Sequence, residues 1–208
     1  TYAIVSESEA GDALHKIISV IGASTNFILQ SCNDINNALA VTYMGNRYIL
    51  YDKNFMQDLN YKSNNWSSMF VLAHEIGHHI NGHTRELTIS KYLDSQSLFK
   101  ERAEELEADE FAGFVLANLG ASYEQAIQGI SLIASEIDSG THPNKTKRIN
   151  AIKAGFNKAK KNPIVTQSNP NDIITYNDGS RWEGPVKKFE KTSDKVTVQA
   201  GKLGYRTI

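Results

Sequence analysis

One short segment constrains this chain more than any other: His74-Glu75-Ile76-Gly77-His78, set inside an apolar run. Phe70, Leu72, Ala73 and Ile76 recur at helical spacing, so Trp66 to Ile80 reads as a helix that Asn81-Gly82 ends. On a helix, His74 and His78 stand one turn apart on one face. Two imidazoles so placed converge on a single ion, as tetrahedral zinc requires. Glu75 projects beside them, placed to take a proton from water activated at the metal. The plainer reading is a polar helix face with satisfied histidines. It fits poorly here, because Val71, Leu72, Ala73 and Ile76 surround the motif.

A catalytic zinc takes a third protein ligand and keeps one position open. His83 is nearest in sequence but misses the metzincin pattern, which needs Gly at 81 and His at 84 where the chain has Asn81 and Thr84. His79 sits about 100° round the helix from His78 and cannot share its face. Both read as ordinary solvated histidines. The better source lies downstream, in Glu105-Leu106-Glu107-Ala108-Asp109. That stretch belongs to a helix expected over Glu101 to Leu119, whose small residues (Ala103, Ala108, Ala112, Gly113, Ala117) let a neighbouring helix approach closely.

His74-Glu75-x-x-His78 followed by Glu105-x-x-Ala108-Asp109 resembles the M48 (Ste24/HtpX-type) zinc metallopeptidases. The family's third element, a His-Pro segment ahead of an Arg, is matched by Thr141-His142-Pro143 and Arg148-Ile149. The resemblance spans roughly residues 8 to 160, including Asn37-Ala38-Leu39-Ala40 and the hairpin after it, which look like the strands preceding the family's active-site helix. It implies that Glu105, not Glu107, is the third ligand. The spacing agrees: Glu105 and Asp109 share a helical face with Ala108 and Ala112, while Glu107 points roughly 200° away from Glu105. Asp109 then reads as acceptor for a ligand histidine's N–H, and Glu107 as a solvated charge. His142 has three readings: a donor to the oxyanion, a latch on the metal's open position, or a loop residue that merely packs or caps the last helix.

Composition removes other classes. Among 208 residues, 22 Lys+Arg stand against 23 Asp+Glu, so no overall field recruits nucleic acid or an anionic membrane. Cys32 is the only cysteine, which excludes an intrachain disulfide and a zinc ribbon. No apolar run of about 18 residues is present, so no transmembrane segment is expected, and the membrane substrates of the embedded family members do not carry over. The chain begins Thr1-Tyr2-Ala3, without Met. It looks more like the soluble bacterial members that are exported or lipid-anchored, and an exported location, periplasmic or extracellular, is favoured over the cytoplasm.

The expected fold is α+β: a helix-rich zincin-type metallopeptidase domain with a small sheet and a short β appendage. Residues 1–161 form the M48-like domain, 162–172 a linker and 173–208 the small β tail. The domain's expected elements begin with a helix over Glu7 to Ile21 capped by Ser6 or Ser8, and a strand over Asn26 to Ser31. A hairpin follows, with arms Ala38–Met44 and Arg47–Tyr51 about a Gly45-Asn46 turn, and then a short helix over Asn54 to Leu59. Later come a Ser122-capped helix to about Ile137 and a last helix opened by Pro143 and ending near Lys161. In the tail, strands are expected over Ile173–Tyr176, Arg181–Val186 and Val196–Gln199. Tyr176 to Gly184 resembles a single MORN-type repeat around the Asp178-Gly179 turn. The expected activity is zinc-dependent endopeptidase cleavage of peptide or unfolded protein, with one Zn2+ per chain and Glu75 as general base. The alternative is a non-catalytic, zinc-containing polypeptide-binding or chaperone-like protein, against which the retained Glu75 argues. Metal-assisted hydrolysis of a non-peptide substrate is permitted by the residues, but nothing favours it.

Overall fold

A computed structural model of the chain describes residues 3–4, 6–22, 27–84 and 95–161, and the strands at 173–176, 181–183, 196–199 and 205–207. The chain divides into two compact units, Thr1–Ile164 and Val165–Ile208. The first holds the six helices among the described residues and a three-stranded sheet, an α+β arrangement as the sequence predicts. No helix among the described residues is long and apolar enough to cross a membrane.

Helix α1 (Glu7–Ile21) starts where Ser6 accepts the Glu9 N–H through its hydroxyl, and ends at Gly22 in the left-handed region. It buries Ala10, Ala13, Leu14, Ile17 and Val20, a stripe at helical spacing. Strand β1 (Phe27–Ser31) runs parallel to β3 (Asn46–Tyr51), which pairs antiparallel with β2 (Ala38–Tyr43). The order β1-β3-β2 leaves β2 at an edge. Its hairpin turns at Met44-Gly45, one residue earlier than the expected Gly45-Asn46, with φ of 47° and 73°. The core sets this register. Ala38 opposite Tyr51 puts two buried side chains together, and a slip of one residue would turn either strand inside out.

Asp52 caps α2 (Lys53–Lys62) by accepting the Asn54 and Phe55 N–H groups. Helix α3 (Ser67–Ile80) follows and is buried along almost its whole length, packed by α1, α2, α4 (Ser95–Asn118), α5 (Tyr123–Ile133), β2 and β3. Helix α4 begins earlier than expected and α5 ends earlier. A capping box at Ser122 and Gln125 starts α5, and Ala134 turns extended where Ser135 accepts the Lys145 N–H. The last helix, α6 (Lys145–Lys161), opens one residue beyond its cap Asn144, which accepts the Lys147 N–H; Pro143 therefore precedes the helix rather than starting it.

In the second unit the strands β4 (Ile173–Tyr176), β5 (Arg181–Glu183), β6 (Val196–Gln199) and β7 (Tyr205–Thr207) form a sheet in the order β5-β4-β6-β7. All of its pairings are antiparallel. Strand β7 was not expected from sequence. The linker over 162–172 and the Asn177–Ser180 turn of the MORN-like segment lie outside the described residues.

Small residues set how closely α4 meets its neighbours. A Cβ added at Gly113 of α4 would lie 2.2 Å from the Ile152 carbonyl oxygen on α6, and one added at Gly155 of α6 would lie 1.8 Å from the Glu110 carbonyl oxygen. The two helices touch backbone to backbone, with no flexible side chain to give way. Gly155→Ala should therefore lower stability by about 1–3 kcal/mol or more through overpacking. Gly11→Ala, on α1 with nothing within 4 Å of the added Cβ, should leave stability unchanged or raise it by up to about 1 kcal/mol. Thermal unfolding of the two variants checks this, and equal melting temperatures would show that α4 and α6 are not held this closely.

Candidate metal centre

Helix α3 carries His74 and His78 on one face, and α4 carries Glu105 and Asp109 on the face that meets it. Gly77 permits the approach: a Cβ there would stand 3.0 Å from Phe111 Cδ1 and 3.2 Å from Ala108 Cα. Ala108 and Ala112 are fully buried at this contact.

The helices bring three donor atoms together. His74 Nε2 and His78 Nε2 are 3.0 Å apart, and Glu105 reaches each of them, at 3.4 and 3.3 Å. His74, His78 and Glu105 form the one His/Cys/Asp/Glu group among the described residues suited to holding a metal ion. On the far side of the ring, His74 Nδ1 is 2.9 Å from Asp109 Oδ1. The contact is close but not aligned as a hydrogen bond; the nearby carboxylate favours the ring proton on Nδ1, which leaves the Nε2 lone pair aimed at His78 and Glu105. Glu105 Oε2 is buried without a hydrogen bond. Two imidazole lone pairs and a carboxylate oxygen facing one another repel unless a cation lies among them, so the donor set fits a metal.

Without a metal, a proton on His74 supplies that cation. Burial works against the Glu105 carboxylate, yet the two imidazoles outweigh it and hold its pKa well below the usual carboxylate range. Burial also opposes charge on His74, but Asp109 and Glu105 push it up to about 10. Burial lifts the Glu75 carboxyl up to about 7, with the Glu105 charge adding to the rise and His74, the Ala40 N–H and Arg148 opposing it. Arg148 stands as a permanent cation beside Glu75, Glu105 and Asp109, so the charge balance of this buried cluster turns on whether His74 carries a proton or turns its lone pair to a metal.

Arg148, which follows the His-Pro segment in the third motif, gains its role only from the fold. Its guanidinium grips Asp109 in two buried bonds, 2.7 Å from Nε to Oδ2 and 2.8 Å from Nη2 to Oδ1, and stands 3.7 Å from Glu105. Asp109 thus serves Arg148 and His74 together. Its arginine partner lies 39 positions away, a distance that only the α4–α6 contact closes.

His142 sits in a strapped loop. Ser139 and His142 exchange both backbone hydrogen bonds about a turn at Gly140, whose carbonyl accepts from Arg102 Nε at 2.9 Å. Asp138 accepts the Asn144 N–H and pairs with Lys147. The His142 ring stays 55% exposed with Nε2 3.6 Å from Glu105 Oε2, at the rim of the donor set.

Two expectations are corrected. His79 is not solvated: it is 2% exposed, with Nε2 2.8 Å from the Tyr48 carbonyl oxygen and Nδ1 2.9 Å from Thr84 Oγ1. Nor is His83, whose side chain is 6% exposed and whose ring nitrogens contact His78 and Glu107. Glu107 is 63% exposed, as a solvated charge should be, but one of its oxygens is engaged by His83.

Around the donor set lies a cavity of about 580 Å³, lined by Asn37 to Val41 of the β2 edge, by Phe70, Val71 and Glu75 of α3, and by Glu101, Glu104, Ile133 and His142. Two family models match the chain: Peptidase family M48 over residues 22–100 and Peptidase U49 over residues 66–167. The matches overlap on α3 and together run through the sheet, α4 and α6. No curated protein matches the chain, and neither does any solved structure. Two peptidase models meet on the helix that bears His74 and His78, and together they support an M48-type metallopeptidase family for the chain.

Proposed function

We propose that the chain is a zinc endopeptidase in which His74, His78 and Glu105 hold one Zn2+ and Glu75 is the general base. The supporting observation is the donor triangle. Ligands about 2.0–2.1 Å from a tetrahedral zinc stand roughly 3.3 Å apart; here the two imidazole nitrogens are 3.0 Å apart, with Glu105 Oε1 3.3 Å from His78 and Oε2 3.4 Å from His74. Two imidazoles and one carboxylate are a donor set of catalytic zinc, leaving one position for substrate.

Zinc so held supplies Lewis-acid activation of water and of the scissile carbonyl. The remaining work falls to side chains. Glu75 shares the cavity with the donor set, and its raised pKa suits a carboxylate that must take a proton from water and return it to the leaving amine. The Asp109–Arg148 pair holds the His74 ring in one tautomer. Strand β2 has one hydrogen-bonded neighbour among the described residues, and its other edge borders the cavity, where the Ala40 N–H reaches Glu75. An extended peptide pairing with that edge is laid across the donor set. His142, exposed at the rim, is placed to donate to the oxyanion.

Glu75→Gln should lower peptide hydrolysis by at least about 100-fold while one zinc per chain is kept, because Glu75 is not among the donors. Glu105→Ala should lose zinc and activity together. Metal analysis alongside hydrolysis of casein or a peptide library, with and without a chelator, checks both. Normal turnover by Glu75→Gln would refute the mechanism. A wild-type chain that binds zinc and unfolded polypeptide without cutting it would favour a binding protein instead.

His142→Ala should cut turnover about 100- to 1,000-fold if the ring stabilises the oxyanion. A rise in activity would make His142 a latch on the open position. Steady-state kinetics within about twofold of wild type, a difference below roughly 0.5 kcal/mol, would remove it from the site.

A further inference from the structure

We infer that His83 and Glu107 are positioning residues, a hydrogen-bonded chain that fixes the tautomer and orientation of His78. The inference rests on the proposed metal centre and deepens it.

Among the described residues, no carboxylate faces His78 Nδ1 as Asp109 faces His74. The His78 Nδ1 lies instead 3.1 Å from His83 Nδ1, and His83 Nε2 lies 3.0 Å from Glu107 Oε2. Only one proton assignment suits all three contacts once the His78 Nε2 lone pair faces His74 and Glu105. The His78 proton is then on Nδ1 and is donated to His83 Nδ1. His83 must accept there, so its own proton sits on Nε2, where Glu107 accepts it. A carboxylate at the far end favours this tautomer and, through it, the electron-rich Nε2 of His78.

Local structure puts His83 in place. Gly82 takes a left-handed φ of 74° after α3, and the His83 N–H returns to the His78 carbonyl oxygen at 2.9 Å. That six-residue closure folds the His83 ring back over His78, edge to face with centroids 5.2 Å apart. Glu107 reaches it from α4, on the side of that helix away from Glu105. The two glutamates therefore act on the same histidine from opposite ends, Glu105 at Nε2 directly and Glu107 at Nδ1 through His83.

Competition of the purified chain with a chromophoric chelator for Zn2+, together with the visible spectrum of the Co2+-loaded chain, tests this without relying on activity. His83→Phe keeps the ring's packing and removes its hydrogen bonds. It should weaken zinc about 10- to 100-fold and shift the Co2+ bands. Glu107→Ala should weaken zinc by a smaller factor, whereas Glu107→Gln, which retains an accepting oxygen, should stay within about twofold of wild type. Zinc affinity of His83→Phe within about twofold of wild type would overturn the inference, as would equal affinities for the two Glu107 variants. If His83→Phe does not fold, the exposed Glu107 pair decides alone. A wild-type chain that takes up no zinc in the same titration would instead refute the metal centre itself.

Discussion

The closeness of α3 to α4 is the constraint from which the rest of the site follows. A metal ion of this kind needs donors from both helices within a few ångströms of one point, and helices carrying ordinary side chains at the contact keep their axes about 8–10 Å apart. Gly77 stands between the two histidines in sequence and meets Ala108, which stands between Glu105 and Asp109. The residues separating the donors are thus the ones whose small size lets the donors meet. Behind α4, Gly113 and Gly155 repeat the device against α6 and bring Arg148 to Asp109. Three helices locked by backbone contact leave little room for the donors to drift, and a preorganised site requires that rigidity.

Such a cluster carries an electrostatic cost that its own layout offsets. Asp109 is fully buried, and a lone carboxylate there would be strongly destabilising. The bidentate Arg148 contact neutralises it and satisfies both oxygens, while one of the same oxygens also faces His74. Among the described residues, Glu105 receives no comparable partner. Its nearest neighbours are two imidazole nitrogens, with the Arg148 and His142 side chains farther off at 3.7 and 3.6 Å. The fold therefore leaves Glu105, the carboxylate grouped with His74 and His78, without a matched cation, and secures Asp109 with Arg148.

The β2 edge completes the cleft for a different reason. Sheet order places β3 in the middle, where Ile49 and Tyr51 are buried, and leaves β2 with hydrogen-bonding groups toward the cavity. An open strand edge next to a hydrolytic site gives an extended backbone a place to pair without reading its side chains closely. Leu39, 43% exposed, and Ile133, 46% exposed, add apolar surface to the cavity wall.

How much of this the sequence determined depends on the range of the interactions. Helix faces, caps and the His74–His78 pairing are local, set by 3.6-residue periodicity and by Ser6, Asp52 and Ser122 at helix starts, so they were legible along the chain. Glu105 and Asp109 were legible because four-residue spacing puts them on one face, and because the order of motifs resembles a family whose model matches residues 22–100. The hairpin turn escaped by one residue, which moves each cross-strand partner by two; Gly45 suits either turn, and the burial of Ala38 against Tyr51 chooses between them. His79 and His83 were misjudged because burial belongs to what folds against a helix: a β3 carbonyl for one, His78 and the α4 glutamate for the other. The grip of Arg148 on Asp109 was likewise invisible, since their helices meet only after Gly113 and Gly155 allow it. The sequence by itself determined which residues could bind a metal. Tertiary structure decided which second partners hold them in place, because hydrogen bonds between distant segments follow from packing and leave no periodic trace in the chain.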